Sequence, residues 1–217
     1  MHIDRNSYGT LAIVYSVSAA VLAAVVLLFP NSVIIWPVLA FVAVFCIWQT
    51  AFFRVPVRKR TGSSKVVTSV ADGKVVILEK VRENEYIKGE CIQVSIYMDF
   101  FDVHANFWPV DGTVEYCHYY PGEHFLAFKP KASEENEHSC TGIVTEDGKR
   151  VFFKQLAGTF ARRIVYYSKP GLKTKSGEQC GIIKFGSRID MYLPLDADIK
   201  VKLGDKTRAV ETVIAVL

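Results

Sequence analysis

The chain has 217 residues, half of them hydrophobic, and at 24.3 kDa its mean hydropathy of +0.20 is too high for a simple soluble domain. A formal net charge of only +4 lacks the strong basic excess of a nucleic-acid binder, so nucleic acid is not expected as a partner. The five cysteines, Cys46, Cys91, Cys117, Cys140 and Cys180, are widely spaced, odd in number and free of any Cys-x-x-Cys pair, which argues against a disulfide framework and against a zinc site.

The apolar excess sits at one end. No charged residue occurs from Tyr8 to Phe53, and the Pro30-Asn31 break divides this run into two stretches of about 20 residues, the length that crosses a bilayer core of about 30 Å. A signal peptide would be shorter and would end in a small-residue cleavage site. Residues 1–53 are therefore expected to form a helical membrane hairpin, with Trp36 and Trp48 near the interfaces. Arg54, Arg58, Lys59, Arg60 and Lys65 follow at once, whereas the Pro30-Asn31 connection holds no basic residue. The positive-inside tendency then puts both ends of the hairpin, and the domain after it, on the cytoplasmic side. The same cluster would draw that domain towards anionic headgroups, each charge contributing about 1 kcal/mol near the surface. Two full spans and a re-entrant hairpin both fit so short a connection.

Beyond the anchor, residues 54–217 read as one β-rich domain of about 160 residues, enough to bury its own core. Runs such as 66–70, 74–78 and 91–97 are short, rich in β-branched residues and set off by turn residues. Asp72-Gly73, Asp111-Gly112 and Asp147-Gly148 each have the composition of a hairpin tip. No strong helical pattern follows the anchor, apart from a turn expected around residues 133–137. A weak repeat sets residues 172–179 against 199–206, each copy passing through a glycine, Gly177 or Gly204. Paired hairpin units of this kind resemble lipoyl- or biotinyl-type domains, so the expected fold is mainly β, a barrel-sandwich behind an N-terminal helical hairpin. The last apolar runs, 181–185 and 189–193, flank Gly186-Ser187-Arg188, expected to be a tight turn that holds a hydroxyl.

Phe185-Gly186-Ser187-Arg188, with Asp190 and Tyr192-Leu193-Pro194, resembles the processing site of the short bacterial phosphatidylserine decarboxylases. Four further segments resemble the same family in order and at similar spacing. They are Val70-Ala71-Asp72-Gly73-Lys74-Val75; Phe101-Asp102-Val103-His104-Ala105-Asn106 with Pro109-Val110-Asp111-Gly112; 131–137; and Gln155-Leu156-Ala157-Gly158 with Ala161-Arg162-Arg163-Ile164-Val165.

The resemblance implies a chain that cuts itself between Gly186 and Ser187. The Ser187 hydroxyl would attack the Gly186 carbonyl, and the ester would eliminate to dehydroalanine, which hydrolyses to a pyruvoyl group at residue 187. That group is the covalent cofactor; no bound cofactor or metal is expected. A large chain, 1–186, and a small chain, 187–217, would stay together as a heterodimer. Decarboxylation needs an electron sink, and no motif here would cradle the phosphate of pyridoxal phosphate. By resemblance Asp72 holds the place of the family's processing carboxylate. His104 would return a proton to carbon after CO2 leaves, suited to it by titrating near neutral pH. Asp102 would orient His104, and Phe185 supports the cut. Longer members carry a second histidine three residues after the first, where this chain has Phe107, so the processing base stays open. His118, His124 and His138 carry no motif.

Further implied are phosphatidylserine in the bilayer as substrate, phosphatidylethanolamine and CO2 as products of phospholipid biosynthesis, and residence at the bacterial inner membrane. Arg162 and Arg163 could meet the headgroup phosphate, although a solvated basic pair is the plainer reading. Homo-oligomerisation stays open. Two alternatives remain: another serine-headgroup lipid as substrate, or a membrane-tethered lipoyl-like adaptor without catalysis. Against the adaptor, the chain lacks a lysine between methionines at a hairpin tip.

Overall fold

Two units divide the chain, Met1–Pro56 and Val57–Leu217. The computed structural model describes residues 1–63, 65–123, 136–158, 163–184 and 187–217, without the side chain of Arg163. In the first unit, strand β1 (His2–Ile3) precedes helix α1 (Tyr8–Leu28); helix α2 (Ile35–Phe52) then leads into β2 (Arg54–Val55). At 21 and 18 residues the helices are about 31 and 27 Å long, enough to cross an apolar core. Both are apolar on every side, with large side chains such as Ile13, Leu27, Trp36 and Phe41 exposed. A helix whose whole circumference is apolar belongs in lipid or in a protein core. Asn31 makes the reversal between them at φ 65°. β1 pairs antiparallel with β2, His2 opposite Val55, so both ends of the hairpin lie side by side.

The second unit is built from short antiparallel strands. In chain order they are β3 (Val66–Thr68), β4 (Gly73–Glu83), β5 (Gly89–Met98), β6 (Ala105–Phe107), β7 (Gly112–Tyr120), β8 (His138–Val144) and β9 (Arg150–Ala157). There follow β10 (Arg163–Tyr166), β11 (Lys173–Thr174), β12 (Gln179–Lys184), β13 (Ser187–Leu193), β14 (Asp198–Ile199), β15 (Lys206–Thr207) and β16 (Val213–Val216). Eight strands in the order β11-β7-β8-β9-β13-β5-β4-β15 make one sheet, and β10-β12-β6 and β14-β16-β3 make two of three strands. Bulges at Val75/Ile77 and Val114/Tyr116 bend the large sheet into a half-barrel. A main core packs inside it from Val94, Ile96, Trp108, Phe153, Ile183, Ile189, Met191 and Leu193 among others.

The repeat is present, but in another register. Gly171 N donates to Val114 O at 2.8 Å while Val114 N donates to Leu172 O; 33 positions on, Gly204 N donates to Val75 O at 2.9 Å while Val75 N donates to Asp205 O. Gly171 therefore matches Gly204, and Gly177 matches Val210, which holds φ 71° beside the glycine's 92°. Alignment on Gly177 and Gly204 fails because valine stands where the second copy's turn would show a glycine. The strands that receive these copies repeat as well. A Cβ on Gly73 would meet Tyr97 O at 2.2 Å, and one on Gly112 would meet Val144 O at 2.4 Å.

Of the three Asp-Gly pairs, only Asp147-Gly148 makes a hairpin turn, with Gly148 N donating to Thr145 O. The other two sit at strand entries, where glycine admits the neighbouring strand and the aspartate receives a backbone amide. The 186–188 corner differs too. β12 and β13 do not pair with each other: β12 pairs with β10 and β6, β13 with β9 and β5. The chain changes sheets there instead of folding back as a hairpin, and Ser187 already belongs to the strand.

The β4–β5 turn carries an acidic cluster. Glu83 accepts from the amides of Glu85, Tyr86 and Ile87 at 2.6, 2.9 and 2.6 Å. Glu85 accepts from Lys154 Nζ at 2.9 Å and Tyr116 OH at 3.0 Å. Burial alone would raise the Glu85 carboxyl, but Lys154, Cys140 and Tyr116 donate to it and hold it below its ordinary 4.5. Its contribution to stability is then full above that value and is lost as pH falls through the lowered one. Glu85→Gln is expected to lower the unfolding midpoint at pH 7, with the gap to wild type closing in acid. Urea titrations at both pH values check this.

Candidate active site

Ser187 opens β13, a central strand in which all seven residues are buried. It lies opposite Met98 of β5 on one side and Ala157 of β9 on the other. Alternation along the strand turns Ser187, Ile189, Met191 and Leu193 to the main core and Arg188, Asp190 and Tyr192 to the opposite face. There Arg188 Nε and Nη2 donate to Asp190 Oδ1 and Oδ2 at 2.8 and 2.9 Å. Both side chains are fully buried, so each offsets the other's desolvation. The Ser187 hydroxyl is itself fully buried and lies 3.8 Å from Met98 Sδ, a weak acceptor.

His104 precedes β6 and is fully buried. Its carbonyl accepts from Ile183 N at 3.2 Å, which ties it to β12 four residues before Ser187. Its Nδ1 lies 3.0 Å from the Asp102 carbonyl. A carbonyl can only accept, so Nδ1 carries the proton and Nε2 is the basic nitrogen of the neutral ring. Asp102 thus meets His104 through its backbone rather than its carboxylate, which accepts from Asp99 N at 2.9 Å. Burial raises the Asp102 carboxyl, and the charges of Asp99 and Asp72 add to the shift.

Asp72, at the entry to β4, is buried and clamped by Arg58: both guanidinium Nη atoms donate, Nη2 to Oδ2 at 2.7 Å. Ala209 N donates to Asp72 Oδ1 at 2.8 Å. Its repeat partner Asp111 has the same arrangement, with Arg60 as its cation and Ser176 N donating at 2.7 Å. Depth separates the two: Asp111's side chain is 38% exposed, against 12% for Asp72. Of the five basic residues after the anchor, Arg58 is therefore held in a buried pair, whereas Arg60 pairs with Asp111 nearer the surface.

The structure thus puts Asp72 within electrostatic reach of Asp102, whose carbonyl meets His104; His104 is tied to β12, and Ser187 lies against Met98. Phe185, Gly186, Arg162, His124 and the segment 131–135 lie outside the described residues, as does the Arg163 side chain. Sequence reasoning passed over Asn106 and Gln155, which occupy two of the resembling segments. Gln155 Nε2 donates to Asn106 Oδ1 at 2.8 Å, and Asn106 Nδ2 lies 3.8 Å from the same Met98 sulfur that Ser187 meets. The signal available was two amides inside strand runs, Asn106 between Ala105 and Phe107 and Gln155 between Lys154 and Leu156. Among the described residues no group of three or more His, Cys, Asp or Glu could hold a metal ion.

A profile of the family described as phosphatidylserine decarboxylase matches residues 45–215. A phosphatidylserine decarboxylase proenzyme of Amoebophilus asiaticus is 44% identical over 169 residues, 78% of this chain and 75% of its own. One of Phocaeicola vulgatus is 40% identical over 211 residues, 92% of either chain. One of Porphyromonas gingivalis is 36% identical over 217 residues, 99% of this chain and 98% of its own.

The two arginine–aspartate pairs differ in what their loss should do. Arg58→Ala leaves a buried carboxylate without its cation and is expected to cost roughly 3–5 kcal/mol. Arg60→Ala, at the more exposed pair, is expected to cost about 1 kcal/mol or less. Thermal unfolding of the two variants checks the order.

Proposed function

The chain belongs to the phosphatidylserine decarboxylase family, and on that premise we propose that it converts phosphatidylserine to phosphatidylethanolamine and CO2 after cutting itself between Gly186 and Ser187. The observation that carries this is the setting of Ser187, a buried hydroxyl at the first residue of a strand held on both sides. The Ser187 oxygen gives its proton to a base and bonds to the carbonyl carbon of residue 186, whose π electrons move onto the carbonyl oxygen. Collapse of that centre expels the nitrogen of residue 187, which takes up a proton, and an ester joins the two parts. Removal of the α-proton then breaks the Cβ–Oγ bond, and the electron pair leaves with the new carboxylate of residue 186.

Residue 187 suits a pyruvoyl group. No charged side chain contacts its oxygen among the described partners, it is shielded from water, and the strand behind it needs no peptide bond to stay in place. Such a group supplies the ketone that engages the substrate's amine and accepts the electrons left by the departing CO2. Ile189, Met191 and Leu193 are fully buried; together they contribute roughly 5–9 kcal/mol before entropy is subtracted. A small chain starting at 187 therefore keeps its place as a partner of the large chain.

His104, with Nδ1–H on the Asp102 carbonyl, offers Nε2 to take or return a proton. Asp72, fixed in place by Arg58 and by the amide of Ala209, holds its carboxylate at the entry to β4, in the position that the family's processing carboxylate takes. The substrate's two acyl chains keep it in the bilayer, and the two apolar helices would hold the domain there. The paired ends of the hairpin and the basic residues after it support an inner-membrane protein whose catalytic domain faces the cytoplasm. The adaptor alternative is not favoured, since the matched relatives are named as proenzymes of a decarboxylase.

Ser187→Ala can form neither ester nor ketone. It is expected to yield one uncut chain that releases no CO2 from phosphatidylserine labelled at its carboxylate; a cut chain or wild-type release would refute the assignment. His104→Ala is expected to reduce turnover by about 100-fold or more, the usual scale for losing a general acid, and to affect cutting less. Initial rates on fully cut protein check this, and an unchanged rate would place the proton donor elsewhere.

A further inference from the structure

A row of buried neutral polar groups ends at Ser187. Ser139 Oγ donates to Gln155 Oε1 at 2.8 Å, and Gln155 Nε2 donates to Asn106 Oδ1 at 2.8 Å. Asn106 Nδ2 then points to Met98 Sδ at 3.8 Å, and Ser187 Oγ reaches the same sulfur at 3.8 Å. Asn106, Gln155, Met98 and Ser187 are fully buried, and Ser139 is 1% exposed. The row spans β8, β9, β6, β5 and β13, so no local turn accounts for it. A Cβ on Gly181 would come within 2.9 Å of Gln155 Nε2, so the glycine leaves that amide room to sit where it does.

The direction of the donors matters. With its oxygen occupied by Gln155, Asn106 turns its amide nitrogen to Met98 Sδ, the atom that Ser187 Oγ also reaches. A buried amide donor that meets only a thioether is poorly satisfied, and such a group costs stability unless something better accepts from it. Among the described residues, a stronger acceptor that reaches the same sulfur is the oxygen of Ser187. That oxygen gathers negative charge twice in the cutting reaction, when its proton leaves and when the Cβ–Oγ bond breaks.

We infer that Asn106, fixed in orientation by Gln155 and Ser139, is the hydrogen-bond donor to Ser187 Oγ during self-cleavage. It holds the hydroxyl in one rotamer and stabilises charge on the oxygen at both stages. A neutral donor suits this position, because a lysine or arginine there would be buried without a counter-ion. The inference rests on the reading that Ser187 is the residue that cuts the chain.

The test is a time course of cutting of the full chain made by cell-free synthesis into lipid nanodiscs, read by intact mass. Asn106→Leu keeps the volume and removes the donor. It is expected to slow cutting at least about tenfold, within the range for losing one donor to a developing oxyanion, with the thermal midpoint showing a folded precursor. Met98→Leu removes the competing sulfur at little packing cost, and is expected to cut at the wild-type rate or faster. Wild-type cutting in Asn106→Leu overturns the inference. So does slow cutting in Met98→Leu, because the amide would then serve only to hold Met98, and this arm decides even where Asn106→Leu does not fold. A wild-type chain that never cuts would instead defeat the reading of Ser187 itself.

Discussion

The structure depends on the pairing of one strand with two neighbours. β13 lies between β5 and β9, with Ser187 to Leu193 in register with Met98 to Ile92 on one side and Ser187 to Tyr192 with Ala157 to Phe152 on the other. A chain that cuts itself at the head of this strand loses one covalent bond and keeps two ladders of hydrogen bonds and a buried apolar face. At a surface hairpin the same cut would free a flexible end and admit water to the new group. In the middle of the sheet, Ser187 is buried and positioned by elements far from it in sequence.

Duplication explains much of the surrounding scaffold. Two Asp-Gly entries, each with a carboxylate bound by an arginine and a backbone amide, receive two copies of a glycine turn. One of them, Asp72, lies deep and within electrostatic reach of Asp102, beside His104; the other, Asp111, is more exposed. A single structural device thus occurs twice, and its surroundings set the deep copy, Asp72, apart from the more exposed one, Asp111.

Much of this was legible in the residues. The charge-free run at the start announced the two apolar helices, and the β-branched runs announced the strands. What could not be read were relations between distant segments. Asp72-Gly73 and Asp147-Gly148 have the same composition, yet only the second turns a hairpin, because the first is bound by Arg58 and overlain by Tyr97. The register of the repeat was hidden by Val210, which adopts a backbone angle that composition assigns to glycine. The corner at 186–188 resembled a hairpin since two apolar runs flank it. That these runs join different sheets depends on partners as distant in the chain as Ile92, which lies opposite Leu193. Asn106 and Gln155 looked like ordinary strand residues, and only their mutual contact beside Met98 distinguishes them.

The central claim is that the chain is cut at residue 187 and held together by the sheet. Native and denaturing mass spectra of the same purified sample test it most directly. The account predicts one particle of full mass under native conditions and two fragments on denaturation, meeting at residues 186 and 187, with the smaller lacking a free amino terminus. A single uncut chain on denaturation, or fragments that part under native conditions, would contradict it.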